Sequence, residues 1–362
     1  MTNKNNNNIK SGADLLWNEF KLKPEILLNA KVLESSVYLT RRCNLKCQYC
    51  KIVKTELPSE LSMDRWIEAM DVFESLGVRF VNIAGGEPTI LKDLPRLISH
   101  ISKKTTMAHS LVSNSLFGDT MLHGLVEAGL QAYVASIDVD DTAGSKEDDI
   151  IKAGAGIKTL EKLRALNVPY LCANIVISAK NLASVVRVTE TLSNKGIWVN
   201  LCPVIWGRGD KWEEVEEADN DYRLTMEHTD KLQKIAEELI ALKKSGALIL
   251  PTEQYLRDLP VYGASLTWKC FSETTPSAPT RLIVDADGAL LTCINMRGEV
   301  TDKYSIFDLK DSSVYDQFAA DWYNDAKSCK GCYWSTMVTA KERNNMLEIF
   351  KKEVLKGHEA KR

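Results

Sequence analysis

Cys43-Asn44-Leu45-Lys46-Cys47-Gln48-Tyr49-Cys50 sets three cysteines in one octet, with gaps of three and two residues, just after the strand-like run at 37–40. Thiolates so spaced make a soft metal site. Three ligands rather than four leave one iron of a [4Fe-4S] cluster open to a ligand that is not protein. The competing readings are a zinc knuckle and three unrelated core cysteines. A structural zinc site closes with four ligands, and no fourth Cys or His lies near in the sequence.

With 362 residues the chain has room for a large core and one or two domains. Its 44% apolar and 26% charged content is that of a globular protein. A formal net charge of -3, with Arg and Lys scattered among acids, gives no nucleic-acid footprint. No run has the apolar length of a membrane span and the start does not read as a secretory signal, so a cytoplasmic location is expected. Nine cysteines gathered in pairs and triplets then favour metal ligation over disulfides.

From the octet outward, the chain alternates. Residues 1–34 read as a disordered start with a helical lead-in over 11–30. Strand-like runs follow at 37–40, 78–84, 107–112, 131–137, 170–177 and 197–204, separated by helical patterns at 62–76, 94–102, 120–128, 159–166 and 182–195. Ser62 is a candidate helix N-cap and Gly77 and Gly129 are stops. Such alternation predicts an α/β fold: a parallel sheet with helices outside, which at six strands is a partial, curved barrel. Active-site groups of such barrels gather at the C-terminal ends of strands. Gly85-Gly86-Glu87-Pro88, Ser113-Asn114, Ser136 with Asp138, Asn174 and Cys202 all fall at or near those ends. Paired glycines let backbone approach a ligand, though the stretch alone reads as a good turn. Asp140, Asp141, Glu147, Asp148 and Asp149 read as a solvated acidic loop, and Gly154-Ala155-Gly156 lacks the Lys-Ser/Thr of a phosphate loop. Cys172 reads as a small buried hydrophobe. Trp206-Gly207-Arg208-Gly209 reads as a loop over the barrel mouth.

Residues 35–210 are thus the barrel, and 211–262 an acidic linker and a helix with Leu232, Ile235, Leu239 and Leu242 on one side. Residues 263–348 carry a second set of cysteines: Cys270, then Cys293 after the turn Asp287-Gly288, then Cys329-Lys330-Gly331-Cys332. Apolar runs on either side of that turn predict a β-hairpin. Four cysteines make a complete ligand set, for which a structural zinc site is the competing reading. A closing helix at 336–348 and a charged tail at 349–362 end the chain.

The C-x3-C-x-aromatic-C spacing, with Tyr49 at the aromatic position and GGEP after the second strand, resembles the radical S-adenosylmethionine (SAM) superfamily. The resemblance implies an incomplete (β/α)6 barrel. It implies a [4Fe-4S] cluster on Cys43, Cys47 and Cys50, whose open iron is chelated by SAM. Reduction of that cluster cleaves SAM to a 5'-deoxyadenosyl radical, which abstracts hydrogen from an unactivated C–H bond. Gly85, Gly86, Glu87 and Pro88 then correspond to the motif that binds the SAM amino group. Ser113, Asn114 and Ser136 are expected as SAM contacts, Asn174 as a SAM or substrate contact, and Asp138 as a substrate contact or base. The late cysteines resemble the SPASM domain and its shorter form, Twitch. The full pattern continues with further cysteines, and none follows Cys332. One auxiliary [4Fe-4S] cluster on Cys270, Cys293, Cys329 and Cys332 is therefore implied, two clusters in all. The first expectation for the reaction is oxidation of a small sugar- or cyclitol-like substrate, with the auxiliary cluster accepting an electron. The alternative is modification of a ribosomally made peptide by crosslinking, thioether formation or epimerisation, the last with Cys202 as hydrogen donor. Residues 1–34 are too short for a winged-helix peptide-recognition domain, which leans toward the first. A flavodoxin or ferredoxin would supply electrons.

Overall fold

The computed structural model describes residues 30–342 and 345, apart from 48, 51, 53–58, 140, 142–146, 206–220, 273–278, 294, 295 and 297. The lead-in helix, the Trp206–Gly209 loop, most of the acidic linker and the charged tail lie outside the described residues.

Each strand is a short run in which alternate side chains face the helices. In β5 (Tyr170–Ile177), Ala173, Ile175 and Ile177 are buried in the core, while Cys172, Asn174 and Val176 face a central cavity. That period of two is what a strand with unlike faces requires. The other strands are β1 (Glu34–Tyr38), β2 (Phe80–Ala84), β3 (Ala108–Ser113), β4 (Ala132–Ser136) and β6 (Trp198–Pro203). Between them run α1 (Met63–Ser75), α2 (Leu94–Lys104), α3 (Asp119–Ala128), α4 (Glu147–Ala165) and α5 (Val185–Asn194). Ser62 caps α1, its hydroxyl accepting from Arg65 N at 3.3 Å. Gly129 closes α3 in the left-handed conformation, φ 96°, as a C-terminal glycine does. Lys103 and Lys104 sit in the last turn of α2, where the helix dipole favours cations.

All pairings in the sheet are parallel, in the order β6-β5-β4-β3-β2-β1-β7. The seventh strand corrects the expectation of six. β7 (Leu282–Val284) comes from the late cysteine region and lies beside β1, pairing Ser36 with Ile283. Past the turn the chain folds back across β7, Leu291 N donating to Ile283 O at 2.8 Å. A three-residue run of Leu, Ile and Val can be hydrogen-bonded on both edges, and local patterning reveals only the near one.

Glu147, Asp148 and Asp149 belong to the first turn of α4 rather than to an acidic loop, and Gly154 and Gly156 lie within the same helix. Carboxylates suit a helix start. α6 (Thr229–Lys244) buries Leu232, Ile235 and Leu239 and packs against α7 (Glu253–Ser265), a second helix in place of a linker end. The segment at 248–250 runs along the outer edge of β6. α8 (Glu299–Lys303), α9 (Ser312–Ala326) and a helical stretch at 335–342 complete the C-terminal region. Among the described residues, no helix is long and apolar enough to cross a membrane.

Candidate active site

A cavity of about 440 Å³ occupies the barrel interior. Cys43, Cys47 and Cys50 line it at one end, together with Gly85, Gly86, Glu87, Ser113, Asn114, Ser136, Asp138, Asn174 and Cys202. The structure therefore gathers the strand-end residues singled out from the sequence, except Pro88, which is buried in a short helical turn behind Glu87.

The glycine pair is explained by the chain itself. Gly86 N donates to Thr40 O at 2.6 Å and Glu87 N to Arg42 O at 2.9 Å, which fixes the segment leading into Cys43. A Cβ on Gly86 would stand 2.2 Å from the Arg42 carbonyl oxygen. The close backbone approach anticipated for a ligand is made here to residues 40–42. Gly86→Ala is expected to cost about 1–3 kcal/mol, the usual price of overpacking, and to lower iron loading; unfolding midpoint and iron content measure the two effects.

Glu87 is 1% exposed and fully engaged. One carboxylate oxygen accepts from Thr89 N at 3.1 Å, Thr89 Oγ1 at 2.6 Å and Ser113 Oγ at 2.8 Å; the other accepts from Asn114 N at 2.7 Å. Four donors satisfy a buried charge, and the carboxylate ties the end of β2 to the end of β3. Asn114, so placed, brings its Nδ2 to 3.8 Å from Cys43 Sγ and 2.7 Å from Asn44 Oδ1. Ser113 supports the same turn by accepting from Ser115 N at 2.9 Å.

Tyr49 donates its hydroxyl to Asp138 Oδ2, linking the cysteine loop to the residues after β4. Burial first, then Asp138 and Cys47, push the Tyr49 phenol far above its usual range, so it remains a donor. Asn174 accepts from Asn200 Nδ2 at 2.6 Å. Cys202 is 3% exposed and directs its thiol at Pro203 O, 3.5 Å away. Cys172, expected as a core hydrophobe, lines the cavity, and burial pushes its thiol up to about 12.

Two buried ion pairs in the wall were not read from the sequence. Arg41 grips Asp285 in a fork, Nε to Oδ1 at 2.9 Å and Nη2 to Oδ2 at 2.5 Å. Arg281 donates to Glu34 and to Ser36 Oγ, the latter at 3.2 Å. The Arg281 pair ties the residue before β7 to β1, and the Arg41 pair ties the residue after β7 to the loop that follows β1.

The late cysteines converge separately. Cys270, Cys293, Cys329 and Cys332 share a small pocket walled by Trp268, Phe271 and Trp322. Burial pushes the Cys270 thiol up to about 12; burial and then the nearness of Cys293, Cys270 and Cys329 hold the Cys332 thiol well above its usual range. Gly331, at φ 110°, packs against the 266–267 backbone and donates to Cys329 Sγ at 3.3 Å. Among the described residues, no group of three or more His, Cys, Asp or Glu is drawn together tightly enough to hold a metal ion unaided. The donor sets nonetheless fit iron–sulfur clusters. Each is all-thiol, with a backbone N–H aimed at a sulfur: Leu45 N on Cys43 at 3.4 Å, Gly331 N on Cys329. Cys270 and Cys332, their thiols pushed up, would give up their protons to a metal that supplies positive charge.

The family model of the Radical SAM superfamily matches residues 37–222. That is half of the chain: it belongs to the radical SAM superfamily and is a radical SAM enzyme. Over 163 residues it is 31% identical to the PqqA peptide cyclase of Granulibacter bethesdensis, a stretch covering 44% of this chain and 43% of that protein. Over 106 residues it is 34% identical to a probable GTP 3',8-cyclase of Archaeoglobus fulgidus, covering 29% of this chain and 35% of that one. The matches span less than half the length of these curated relatives. In fold, the chain is similar to SuiB of Streptococcus suis bound to S-adenosylmethionine, with TM-score 0.58 at 17% identity over 83% of this chain and 73% of that one. SuiB bound to precursor peptide SuiA gives 0.58 at 13% identity, over 88% and 70%. The likeness takes in the barrel and a C-terminal region resembling SPASM-type auxiliary domains.

Proposed function

We propose that this enzyme modifies a peptide by radical chemistry, through a crosslink, a thioether bond or epimerisation. The cluster and SAM, bound at Cys43, Cys47 and Cys50, would supply a 5'-deoxyadenosyl radical that takes hydrogen from an unactivated C–H bond. The chain's own residues orient what enters. Asn114 and Ser113 steady the cluster end of the cavity, the Gly86 and Glu87 N–H groups hold the cysteine loop in place, and Ser136 and Asp138 face the space where SAM and substrate would meet. A second [4Fe-4S] cluster on Cys270, Cys293, Cys329 and Cys332 would serve electron transfer or structural support, because four thiolates leave no iron open to substrate. Electrons would enter from a flavodoxin- or ferredoxin-type donor.

The observation that carries the peptide reading over a nucleotide one is the charge balance of the cavity wall. Arg41 and Arg281 are each neutralised by a buried carboxylate, Asp285 and Glu34. A nucleoside triphosphate, as named for the probable GTP 3',8-cyclase, needs cations that are not already matched; a peptide does not. The PqqA peptide cyclase and the peptide-bound SuiB lean the same way. Matched arginines would suit an uncharged sugar or cyclitol, the first expectation from the sequence, equally well; it is the peptide-acting relatives that tip the choice. The test is co-expression with short peptides encoded beside the gene, followed by mass spectrometry in normal and deuterated water. A loss of hydrogen mass, or deuterium uptake at one residue, is expected. Turnover of a sugar or cyclitol with every such peptide unchanged would overturn the proposal.

A further inference from the structure

Ser136, Asn174 and Asn200 stand at one level on three neighbouring strands. The register pairs Ser136 with Asn174 and Asn174 with Asn200, and all three line the cavity. Ser113 pairs with Ala135, so Asn114, whose amide touches the Cys43 sulfur, follows at the level of Ser136. A row of neutral polar side chains therefore runs from the cluster loop across to β6.

The far end of that row has unused capacity. An asparagine carries two donors and an acceptor with two lone pairs. The bond from Asn200 to Asn174 takes one donor and one acceptor. The Asn174 Nδ2 and the Asn200 Oδ1 meet no further partner among the described residues, although Asn200 is only 6% exposed. Exchanging nitrogen and oxygen in both amides leaves the same pair, one donor group and one acceptor. Neither atom is a buried group stranded in the core; both residues face the cavity, so the pair can bond something that enters it. The surroundings say what kind of group. Both arginines in the wall are paired, Glu87 is saturated by four donors and Asp138 receives the Tyr49 hydroxyl. Among the described lining residues an anion finds no unmatched arginine, and the carboxylates nearest the row, Glu87 and Asp138, already accept from neutral donors.

We propose that Asn174 and Asn200 form a substrate subsite that reads an uncharged amide, Asn174 donating to its carbonyl and Asn200 accepting from its N–H. This deepens the peptide reading above and rests on it: the group held opposite the radical source is a backbone or side-chain amide, not a carboxylate, ammonium or phosphate.

The probes are N-acetylglycine N-methylamide, acetate and methylammonium, each followed by saturation-transfer NMR on the full-length, anaerobically reconstituted protein with SAM. The capped amide is expected to give a signal and the two ions none. Asn200→Leu and Asn174→Leu should each weaken the amide signal about fivefold, the worth of one buried hydrogen bond. Asn200→Asp should lose the amide and gain methylammonium. Iron content and melting profile check that each variant folds, and where one leucine variant fails that check the other and Asn200→Asp decide. Equal signals from acetate or methylammonium in the wild type, no amide signal, or an amide signal unchanged in the folded variants would overturn the subsite. A subsite that binds the capped amide while no peptide is ever modified would instead discard the peptide reading alone.

Discussion

Replacing Cys43, Cys47 and Cys50 together by alanine is expected to abolish reductive SAM cleavage and to leave about four irons per chain on the late cysteines. The two sets are held by different parts of the fold. The first sits on the loop between β1 and α1, fixed by the Gly86 and Glu87 backbone bonds to residues 40–42. The second is held from behind: Cys329 N bonds Ala326 O at 2.9 Å, at the end of α9, and Cys332 N bonds Trp268 O at 2.8 Å. Emptying the first loop removes no support from the second pocket, whose aromatic wall, with Trp322 donating to Thr292 O at 2.8 Å, stays closed. Iron and sulfide determination gives the count, and formation of 5'-deoxyadenosine under dithionite gives the activity. Complete loss of iron would mean that the late cysteines bind no cluster of their own; no loss would mean that the octet binds none.

Much of this was legible in the sequence because it depends on local pattern. Strand and helix alternation survives reading by eye, as in β5, where an apolar, largely β-forming run from Tyr170 to Ile177 marks the strand and the alternation in burial shows only in the fold. Cysteine spacing is likewise local. What escaped is non-local or two-sided. β7 pairs with a strand far earlier in the chain, and nothing in Leu282-Ile283-Val284 says which edge it will meet. Arg41 reads as a surface residue in Thr-Arg-Arg-Cys, and its partner Asp285 looks like a turn residue. Two signals were present and unread. Asn200 is a polar residue inside the apolar run Trp198-Val199-Asn200-Leu201-Cys202, in phase with Cys202. Tyr315, Phe318 and Trp322 recur at helical spacing and mark the buried face of α9. Paired glycines announce a close approach, but sequence cannot say that the approaching group is the chain's own backbone.

Asp285→Ala is expected to be the most destabilising single substitution outside the cysteines, by about 3–5 kcal/mol, the cost of stranding one member of a buried ion pair. The side chains of Arg41 and Asp285 are 4% and 0% exposed, so neither water nor salt screens what is left. The damage should reach the cluster. Arg41 N also donates to Glu60 at 2.9 Å, Thr40 Oγ1 donates to the same carboxylate at 2.7 Å, and Cys43 follows two residues on. A guanidinium that loses the Asp285 fork and swings toward water drags the start of the cysteine loop with it. The unfolding midpoint of the reconstituted protein and its iron content should therefore fall together. Charge and shape are separated by the double variant Arg41→Met with Asp285→Leu, which removes both ions and keeps volume. Replacing a buried pair by apolar groups is often neutral or stabilising, so the double variant should recover most of the lost stability, with a coupling well above what distant sites show. If it recovers stability but not iron loading, the fork itself, with its two parallel bonds, is what aims the loop; if both return, filling the space between β1 and β7 is sufficient. A single Asp285→Ala variant as stable as the parent would show that the guanidinium finds water or another acceptor, and the link from the C-terminal segment to the radical site would have to run through Arg281 and Glu34 instead.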